Sequence, residues 1–288
     1  MEAKKSTRGK VLITGASPGS VGEALAREFL NQGFEVFATA RTVEKLDGLR
    51  LLGAKTFELD VSSTSSIESL SMKIPTLDIL INNAGQGYAV PLMDEQVDRM
   101  KALYEVNVFS IVTVTQKFLR QLLASKGTVV NHGSISAEFP VPLAGSYSAS
   151  KAAVASLTDT LRMELSPFGI KVINLNSGVM NTNFTRQTYG RPIHLSNHSI
   201  YLPMKAHLEA SLFKRSAISY TDVDRFAEQV VRDLLKSGFW KPTRITRGFG
   251  STISRVLKSV EPYRGAWDWI LMIHMGFPTR AKRKESLE

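Results

Sequence analysis

The sequence predicts an α/β fold in which helices cover both faces of one doubly wound parallel sheet. Six short apolar segments, each typical of a buried strand, recur along the first two thirds of the chain, separated by stretches with helical spacing. Regular alternation of strand and helix indicates a parallel sheet with helical crossovers. No shift of composition and no internal repeat divides residues 8–250, which are predicted to form one domain. The predicted strands are residues 10–14, 34–39, 54–60, 77–81, 127–133 and 169–174.

Composition excludes several kinds of site. The 288 residues contain no cysteine, so disulfides, thiolate metal sites and a catalytic thiol are excluded, and no metal is expected. The formal net charge is +10, and residues 239–288 hold ten Lys and Arg against four Asp and Glu. Such a basic tail suits an anionic membrane surface or water, and no motif supports nucleic-acid binding. Residues 1–10 are polar, so no secretory signal is expected and a reducing, cytoplasmic location is predicted.

A glycine-rich turn follows the first predicted strand and precedes a helix. It reads Gly15-Ala-Ser-Pro-Gly19-Ser-Val-Gly22. Glycines let the backbone approach phosphates, and a helix N-terminus offers free N–H groups and the positive end of the helix dipole. The arrangement predicts a pyrophosphate site, and a tight turn without a ligand is the alternative. The predicted contacts are Gly15, Ser17, Gly19, Val21 and Gly22.

The end of the second predicted strand bears on the choice of dinucleotide. A free ribose 2′-hydroxyl is usually met by a carboxylate here, whereas a 2′-phosphate is met by a cation. Ala40 offers no carboxylate and Arg41 offers the cation. The sequence therefore favours NADPH over NADH, with Ser17 as a further phosphate contact; a solvated arginine is the alternative. Asp60 and Val61, which end the third strand, are expected beside the adenine ring.

Amide side chains mark two further positions. The fourth strand is followed by the run Asn82-Asn83-Ala84-Gly85, and buried amides must find hydrogen-bond partners. We expect Asn83, Ala84 and Gly85 to brace the backbone around the cofactor.

A long helix is predicted over residues 94–123, interrupted by Asn107. Because asparagine is a mediocre helix former, some local contact should stabilise it there.

Tyr147 and Lys151 have the spacing of an acid/base pair. Residues four apart share a helix face, and a protonated lysine beside a phenol is expected to lower the pKa of Tyr147. The tyrosine could then exchange a proton near neutral pH. Ser134 follows a predicted strand, so its hydroxyl is expected at the carboxyl edge of the sheet, where ligands bind. An ordinary helix N-terminus with an incidental tyrosine is the alternative.

The chain beyond the sixth strand contains three segments. Residues 183–219 carry five Lys or Arg and one acid among tyrosines and leucines, as expected of a substrate lid for an apolar, perhaps anionic molecule. Solvated cations are the alternative.

A capped amphipathic helix is predicted over residues 221–236, led by Thr221. Residues 251–288 form an aromatic and basic extension, too short in apolar length to span a membrane. It could contact an intracellular membrane or lipid droplet, or pack on a subunit or over the pocket.

Taken together, these motifs resemble the short-chain dehydrogenase/reductase family over about residues 8–240. The resemblance implies a Rossmann fold in which a serine orients a carbonyl, a tyrosine passes the proton, a lysine holds the nicotinamide ribose and tunes the tyrosine, and an asparagine supports a water relay. These roles fall on Ser134, Tyr147, Lys151 and Asn107. It also implies that Gly178, Val179 and Thr182 lie beside the nicotinamide.

The chain departs from the family pattern at two points. Its glycine loop is one residue longer than Thr-Gly-x-x-x-Gly-x-Gly, with Ser20 where many relatives have glycine. The turn after the sixth strand is usually Pro-Gly, and here Ser177 replaces the proline, which removes a backbone restraint. Within the family, the chain looks most like reductases similar to 1-acyldihydroxyacetone-phosphate reductase, which share the extended loop and an aromatic tail.

The sequence therefore predicts an NADPH-dependent ketone reductase with Tyr147 as general acid. An alcohol dehydrogenase working in the oxidative direction would use the same residues. A protein of a different class, which binds NADP at a membrane or lipid surface and regulates a partner, would show no turnover. The family resemblance also implies a homodimer or homotetramer, with the helix that begins at Tyr147 as an interface.

Overall fold

The computed structural model describes residues 8–139, 141–217, 220–236 and 242–250. Within these ranges seven strands form one parallel sheet in the order β3-β2-β1-β4-β5-β6-β7. The predicted fold class is confirmed, and each of the six predicted strands is present. The strands are β1 (Lys10–Ile13), β2 (Glu35–Ala40), β3 (Lys55–Glu58), β4 (Ile79–Asn82), β5 (Thr128–His132), β6 (Lys171–Ser177) and β7 (Arg244–Arg247).

Helices cover both faces of the sheet. Successive strand residues point to opposite faces, so Val11 and Ile13 pack with α1, α2 and α10 while Leu12 packs with α3, α5, α6 and α7. The helices are α1 (Val21–Asn31), α2 (Asp47–Leu51), α3 (Thr64–Lys73), α4 (Val97–Tyr104), α5 (Ser110–Lys117), α6 (Leu119–Ser125), α7 (Gly145–Leu165), α8 (Asn183–Tyr189), α9 (Lys205–Ala217) and α10 (Val223–Leu234).

The strand order fixes where a ligand can bind. The chain moves outward from β1 to β2 and β3, then returns to the other side of β1 as β4. Strand order therefore reverses between β1 and β4, and the loops that leave their carboxyl ends diverge and open a crevice. The glycine turn after β1 and the Asn82–Asn83 turn after β4 both lie at this crevice.

The seventh strand was not predicted. In β7 the residues are Arg244, Ile245, Thr246 and Arg247, and only Ile245 is buried. β7 pairs with β6 on one side and is the last strand of the sheet, so polar side chains suffice there. A polar segment of four residues carries no apolar strand pattern, which is why it was missed.

The helical segment predicted over residues 94–123 is present in large part, but it is divided into three helices. A 3₁₀ turn spans Leu92–Asp94, α4 follows, and a π-helical turn at Glu105–Phe109 separates α4 from α5. A further break at Phe118 separates α5 from α6. Asn107 lies in the π turn, so the interruption that the asparagine indicated is real and is larger than expected.

The segment predicted to be a lid, residues 183–219, contains α8, a 3₁₀ turn (Leu202–Met204) and α9 in its described part, and its role as a lid stays a prediction. Leu143, Ile193, Leu208 and Leu212 bury a small apolar cluster between this segment and the main body. The predicted amphipathic helix is present as α10, which buries Phe226, Val230, Val231 and Leu234, but Asp222 rather than Thr221 caps it. The aromatic and basic extension predicted over residues 251–288 lies outside the described residues, and the domain boundaries stay a prediction. Among the helices described, none has the length and apolarity that crossing a membrane requires.

Candidate active site

The three side chains of the predicted acid/base group come together. Ser134 follows β5 and caps a 3₁₀ turn, its Oγ accepting a hydrogen bond from the Ser136 N–H at 3.1 Å. The Ser134 hydroxyl lies near enough to the Tyr147 phenol to lower its pKa. Lys151, one turn along α7, has its Nζ 5.8 Å from the Tyr147 ring centroid. The hydroxyl, phenol and ammonium thus lie close together at the carboxyl edge of the sheet.

The pKa of Tyr147 does not move in the expected direction. Burial raises it well above the usual value, and neighbouring Tyr189 raises it further, whereas the nearby Ser134 hydroxyl opposes the change. Lys151 was expected to lower the pKa of Tyr147, but its ammonium donates to the His132 carbonyl at 2.7 Å. Burial lowers the pKa of Lys151 to about 8. Desolvation is therefore the largest influence on the pKa of both groups.

Asn107 has the local contacts that its position required. Its Oδ1 accepts from the Gln86 N–H at 2.8 Å, and its Nδ2 donates to the Gln86 carbonyl at 2.9 Å and to Ser150 Oγ at 3.0 Å. The side chain is fully buried. It therefore fixes the turn after β4 against α7, one residue before Lys151.

The glycine turn has the shape of a phosphate cradle. Gly15 has a φ of +72°, a region that favours glycine, and a Cβ at position 22 would lie 2.5 Å from both Gly15 O and Asn83 Nδ2. Asn83 Nδ2 donates to the carbonyls of Thr14 and Gly15 at 2.8 and 2.9 Å. Asn83 thus holds the turn from the side of β4. The residues present fit a dinucleotide.

Ser20 and Glu23 hold the lengthened glycine loop onto the start of α1, through contacts that were not predicted from the sequence. Ser20 caps α1, its Oγ accepting from the Glu23 N–H at 3.1 Å, and the Glu23 carboxylate accepts from the Gly19 N–H at 2.7 Å. This is close to a capping box, whose Ser-x-x-Glu signature is visible in the sequence. Ser17 lies beside it, its carbonyl accepting from the Ser20 N–H.

Arg41 and Asp60 lie at the same end of the sheet. Arg41 is exposed directly after β2. Hydrogen bonds from the Ser62 hydroxyl and N–H lower the pKa of Asp60, with a smaller contribution from the Arg41 charge. Val61 is buried in the core beneath. A cation thus stands where a ribose phosphate would need one, and a carboxylate lies close to it.

The loop after β6 leads from the sheet into α8. Gly178 N–H donates to Arg247 O at 2.7 Å and Val179 N–H to Phe249 O at 3.1 Å, which ties this loop to β7 and the residues after it. Thr182 is buried and caps α8. Two residues on, Phe184 places its ring 5.5 Å from that of Tyr147, a contact that the sequence did not indicate.

The first residue of α8 also contacts the glycine turn. Asn183 Nδ2 donates to the Pro18 carbonyl at 2.9 Å, and its N–H donates to the Gly19 carbonyl at 3.0 Å. The lid segment therefore begins between the glycine turn and Tyr147, on top of the crevice.

A cavity of about 450 Å³ lies beneath α8. It extends from Arg41 past Gly85 to Phe184, and Arg99 and Arg191 also line it. Of the lid side chains expected near the substrate, Arg191 lines this cavity. By contrast, Arg186 hydrogen-bonds Asn181, and Tyr201 packs on the apolar cluster of the lid. In the part of the chain that the structure describes, no cluster of side chains could hold a metal ion.

A doubly wound parallel sheet, with a glycine turn after β1 and a Ser–Tyr–Lys group beside it, defines a dinucleotide-dependent oxidoreductase. The family model for short chain dehydrogenases matches residues 9–191. The chain belongs to the short-chain dehydrogenase/reductase family.

Relatives and solved structures agree with this membership. A short-chain dehydrogenase/reductase of Pestalotiopsis microspora is 37% identical over 252 residues, 87% of this chain and 88% of its own. The NADPH-dependent 1-acyldihydroxyacetone phosphate reductase of Schizosaccharomyces pombe is 33% identical over 272 residues, 89% of this chain and 90% of its own. The crystal structure of a short-chain dehydrogenase from Streptomyces avermitilis superposes with a TM-score of 0.75 at 26% identity, over 91% of this chain and 98% of that one.

Proposed function

We propose that this protein is an NADPH-dependent reductase of ketones. The observation that carries the proposal is the convergence of the Ser134 hydroxyl, the Tyr147 phenol and the Lys151 ammonium at the carboxyl edge of the sheet. In this proposal Ser134 donates a hydrogen bond to the substrate carbonyl oxygen and Tyr147 gives that oxygen its proton. Asn107 holds the turn at Gln86 against α7, as a support for the proton path. Bound NADPH supplies the hydride.

The electrostatics of the pocket suit a tyrosine that acts as an acid. Because burial raises the pKa of Tyr147, the phenol stays protonated throughout the neutral range. Lys151, with a pKa of about 8, is mostly cationic at pH 7 and would stabilise the phenolate left after proton transfer. The same groups would work in reverse on an alcohol, so the direction of the reaction depends on the substrate supplied.

The crevice and the relatives support NADP(H) as the dinucleotide. Arg41 is the cation that a ribose 2′-phosphate requires, and the named S. pombe relative is NADPH-dependent. The residues proposed to hold the cofactor lie at the carboxyl edge of β1 to β6, in the loops that leave this edge, at the start of α1, or on α7. They are Gly15, Ser17, Gly19, Val21, Gly22, Arg41, Asp60, Val61, Asn83, Ala84, Gly85, Tyr147, Lys151, Gly178, Val179 and Thr182.

The proposed substrate has an apolar body and an anionic group. The lid contributes an apolar cluster, and the cationic side chains of Arg99 and Arg191 line the cavity beneath it. The name of the S. pombe relative refers to a phosphate-bearing ketone with an acyl chain, which fits the same description. For assembly, we propose a homodimer or homotetramer through α7, on which Met163 is 62% exposed.

Replacement of Tyr147 by Phe tests the reaction. We expect ketone reduction to fall by at least the ~10²–10⁴-fold typical of a lost general acid, with the dissociation constant for NADPH nearly unchanged. The substrate panel should contain ketones in matched pairs, each with a carboxylate or phosphate and with its neutral ester, and the corresponding alcohols with NADP⁺. Tyr104→Phe, a tyrosine that packs on Phe109, is the matched control and should keep full activity.

Three results would contradict parts of the proposal. Activity that survives Tyr147→Phe would exclude the tyrosine as the acid. Tight NADPH binding without turnover of any panel member would favour the binding protein at a membrane or lipid surface. Equal rates for the charged and neutral ketones would remove the anionic group from the substrate.

A further inference from the structure

His132 is buried at the end of β5 with both ring nitrogens engaged. Its Nδ1 lies 2.8 Å from Asn83 Oδ1, and its Nε2 lies 2.9 Å from Ser177 Oγ. The side chain is 9% exposed. The reaction proposed above does not use this imidazole. The backbone carbonyl of His132, by contrast, accepts a hydrogen bond from the Lys151 ammonium.

The hydrogen bonds determine which nitrogen carries the proton. Asn83 Nδ2 faces two backbone carbonyls, those of Thr14 and Gly15, so the amide oxygen must face His132. The imidazole therefore donates from Nδ1, and Nε2 accepts from the Ser177 hydroxyl. Burial, and then the charge of Lys151, lower the pKa of His132 to about 3, so the ring is neutral at any pH at which the enzyme would work.

These bonds form one continuous connection across the carboxyl edge of the sheet. It runs from the Gly15 carbonyl after β1, through Asn83 after β4 and His132 on β5, to Ser177 at the end of β6. Ser177 is covalently followed by Gly178, the start of the loop that leads to Thr182. The imidazole thus connects the two backbone segments proposed to hold the pyrophosphate and the nicotinamide of the dinucleotide.

We propose that His132 is a positioning residue that sets the spacing between the glycine turn and the Gly178–Thr182 loop and so determines affinity for the dinucleotide. This inference rests on the proposed function, because it requires that NADPH binds in this crevice. Ser177 stands where the family pattern has proline. A proline has no hydroxyl and would fix the backbone by its ring, whereas here a hydrogen bond to His132 restrains the same residue.

The test compares NADPH affinity among His132→Phe, His132→Asn, Ser177→Ala and the double variant His132→Phe/Ser177→Ala, by fluorescence titration. We expect His132→Phe to raise the dissociation constant about tenfold, as when buried polar atoms lose their partner. His132→Asn is too short to reach Ser177, so it should weaken binding about as much as Ser177→Ala does. The double variant should bind no more weakly than His132→Phe, because both changes break one connection.

Kinetics separate positioning from a general loss of structure. The KM for NADPH should rise in these variants while kcat at saturating NADPH stays near that of the wild type, since Ser134, Tyr147 and the His132 carbonyl are unchanged. Gln121→Ala is the matched control. Its buried Nε2 donates to the carbonyls of Ser71 and Ile74, away from the crevice, so the variant should lose stability and keep wild-type NADPH affinity.

The outcomes separate this inference from the proposed function. If the wild type binds no NADPH, the proposed function itself is wrong. If the wild type binds NADPH, and both Ser177→Ala and His132→Asn bind it as tightly as the wild type does, His132 has no positioning role and only this inference fails. Additive losses in the double variant would also overturn it, and the two small substitutions decide the matter if His132→Phe does not fold.

Discussion

At the scale of single residues, the ammonium of Lys151 is the most costly group in the pocket. It is 5% exposed, and one hydrogen bond to the His132 carbonyl replaces its hydration. A pKa lowered from 10.5 to about 8 is worth about 3 kcal/mol, at roughly 1.4 kcal/mol for each tenfold change in proton affinity. The buried charge of Lys151 at pH 7 therefore lowers the stability of the fold. Such a loss of stability is common where a charge serves catalysis.

This charge predicts a dependence of stability on pH. Between pH 8 and 10.5 the folded state binds fewer protons at Lys151 than the unfolded state, so the free energy of unfolding rises with pH in that window. Relative to Lys151→Met, the wild type should gain about 2 kcal/mol between pH 8 and pH 10. Urea unfolding of both proteins at several pH values measures the difference. Lys101→Met, at an exposed lysine, should run parallel to the wild type, and parallel behaviour of Lys151→Met would contradict the prediction.

At the scale of elements, helix ends are decided by which side chain reaches the free N–H groups. The sequence predicts a capped helix led by Thr221, from the run Thr221-Asp-Val-Asp. In the structure Asp222 Oδ1 accepts from the N–H groups of Asp224 and Arg225, both at 3.0 Å. Thr221 is instead joined through its carbonyl to Asn181 N–H in the loop after β6. A contact with a distant loop therefore set the start of α10.

The two residues give a matched pair of variants. Asp222→Ala should lower the free energy of unfolding by about 1 kcal/mol, because two N–H groups lose their acceptor and the helix dipole loses a carboxylate. Thr221→Ala keeps the backbone contact and should change stability by less than about 0.5 kcal/mol. Thermal or urea unfolding of both variants measures this. A larger loss in Thr221→Ala would show that the threonine is the cap.

At the scale of the whole molecule, charged hydrogen bonds attach strand β7 to helix α10. β7 is polar, and Arg247 reaches from it to Asp233 on α10, with Nε and Nη2 at 2.9 and 2.6 Å from Oδ2. Lys236 Nζ binds the other oxygen at 2.8 Å. Burial raises the pKa of Asp233, but the hydrogen bonds from Lys236 and Arg247 and the charges of these two residues outweigh burial and hold the pKa below its usual value. The carboxylate thus joins the last strand to the helix layer beneath it.

Loss of this carboxylate should destabilise the fold. Asp233→Asn is expected to cost about 2 kcal/mol at pH 7, since two cations lose a partner whose side chain is only 6% exposed; the partial exposure of Arg247 reduces the effect. Asp159→Asn, at an exposed pair with Arg162, should cost under about 0.5 kcal/mol. Urea unfolding at pH 7 compares them. Equal losses would mean that the β7 contact is an ordinary surface pair.

The sequence by itself determined the six apolar strands, the glycine turn after β1, and the positions of Ser134, Tyr147 and Lys151. Each of these depends on residues close together in the chain, through side-chain periodicity, turn chemistry or the four-residue helix repeat. The parallel sheet could be predicted from these segments, because an alternation of strands and helices is compatible with few topologies.

The tertiary structure alone settled the π-helical form of the break at Asn107, the polar strand β7, the contact of Phe184 with Tyr147, and the two hydrogen bonds of the His132 ring. Each depends on partners far away in the chain, which no local pattern reveals. The pKa of Tyr147 shows the same limit. The spacing to Lys151 suggested a lower value, whereas burial, a property of the folded interior, raised it.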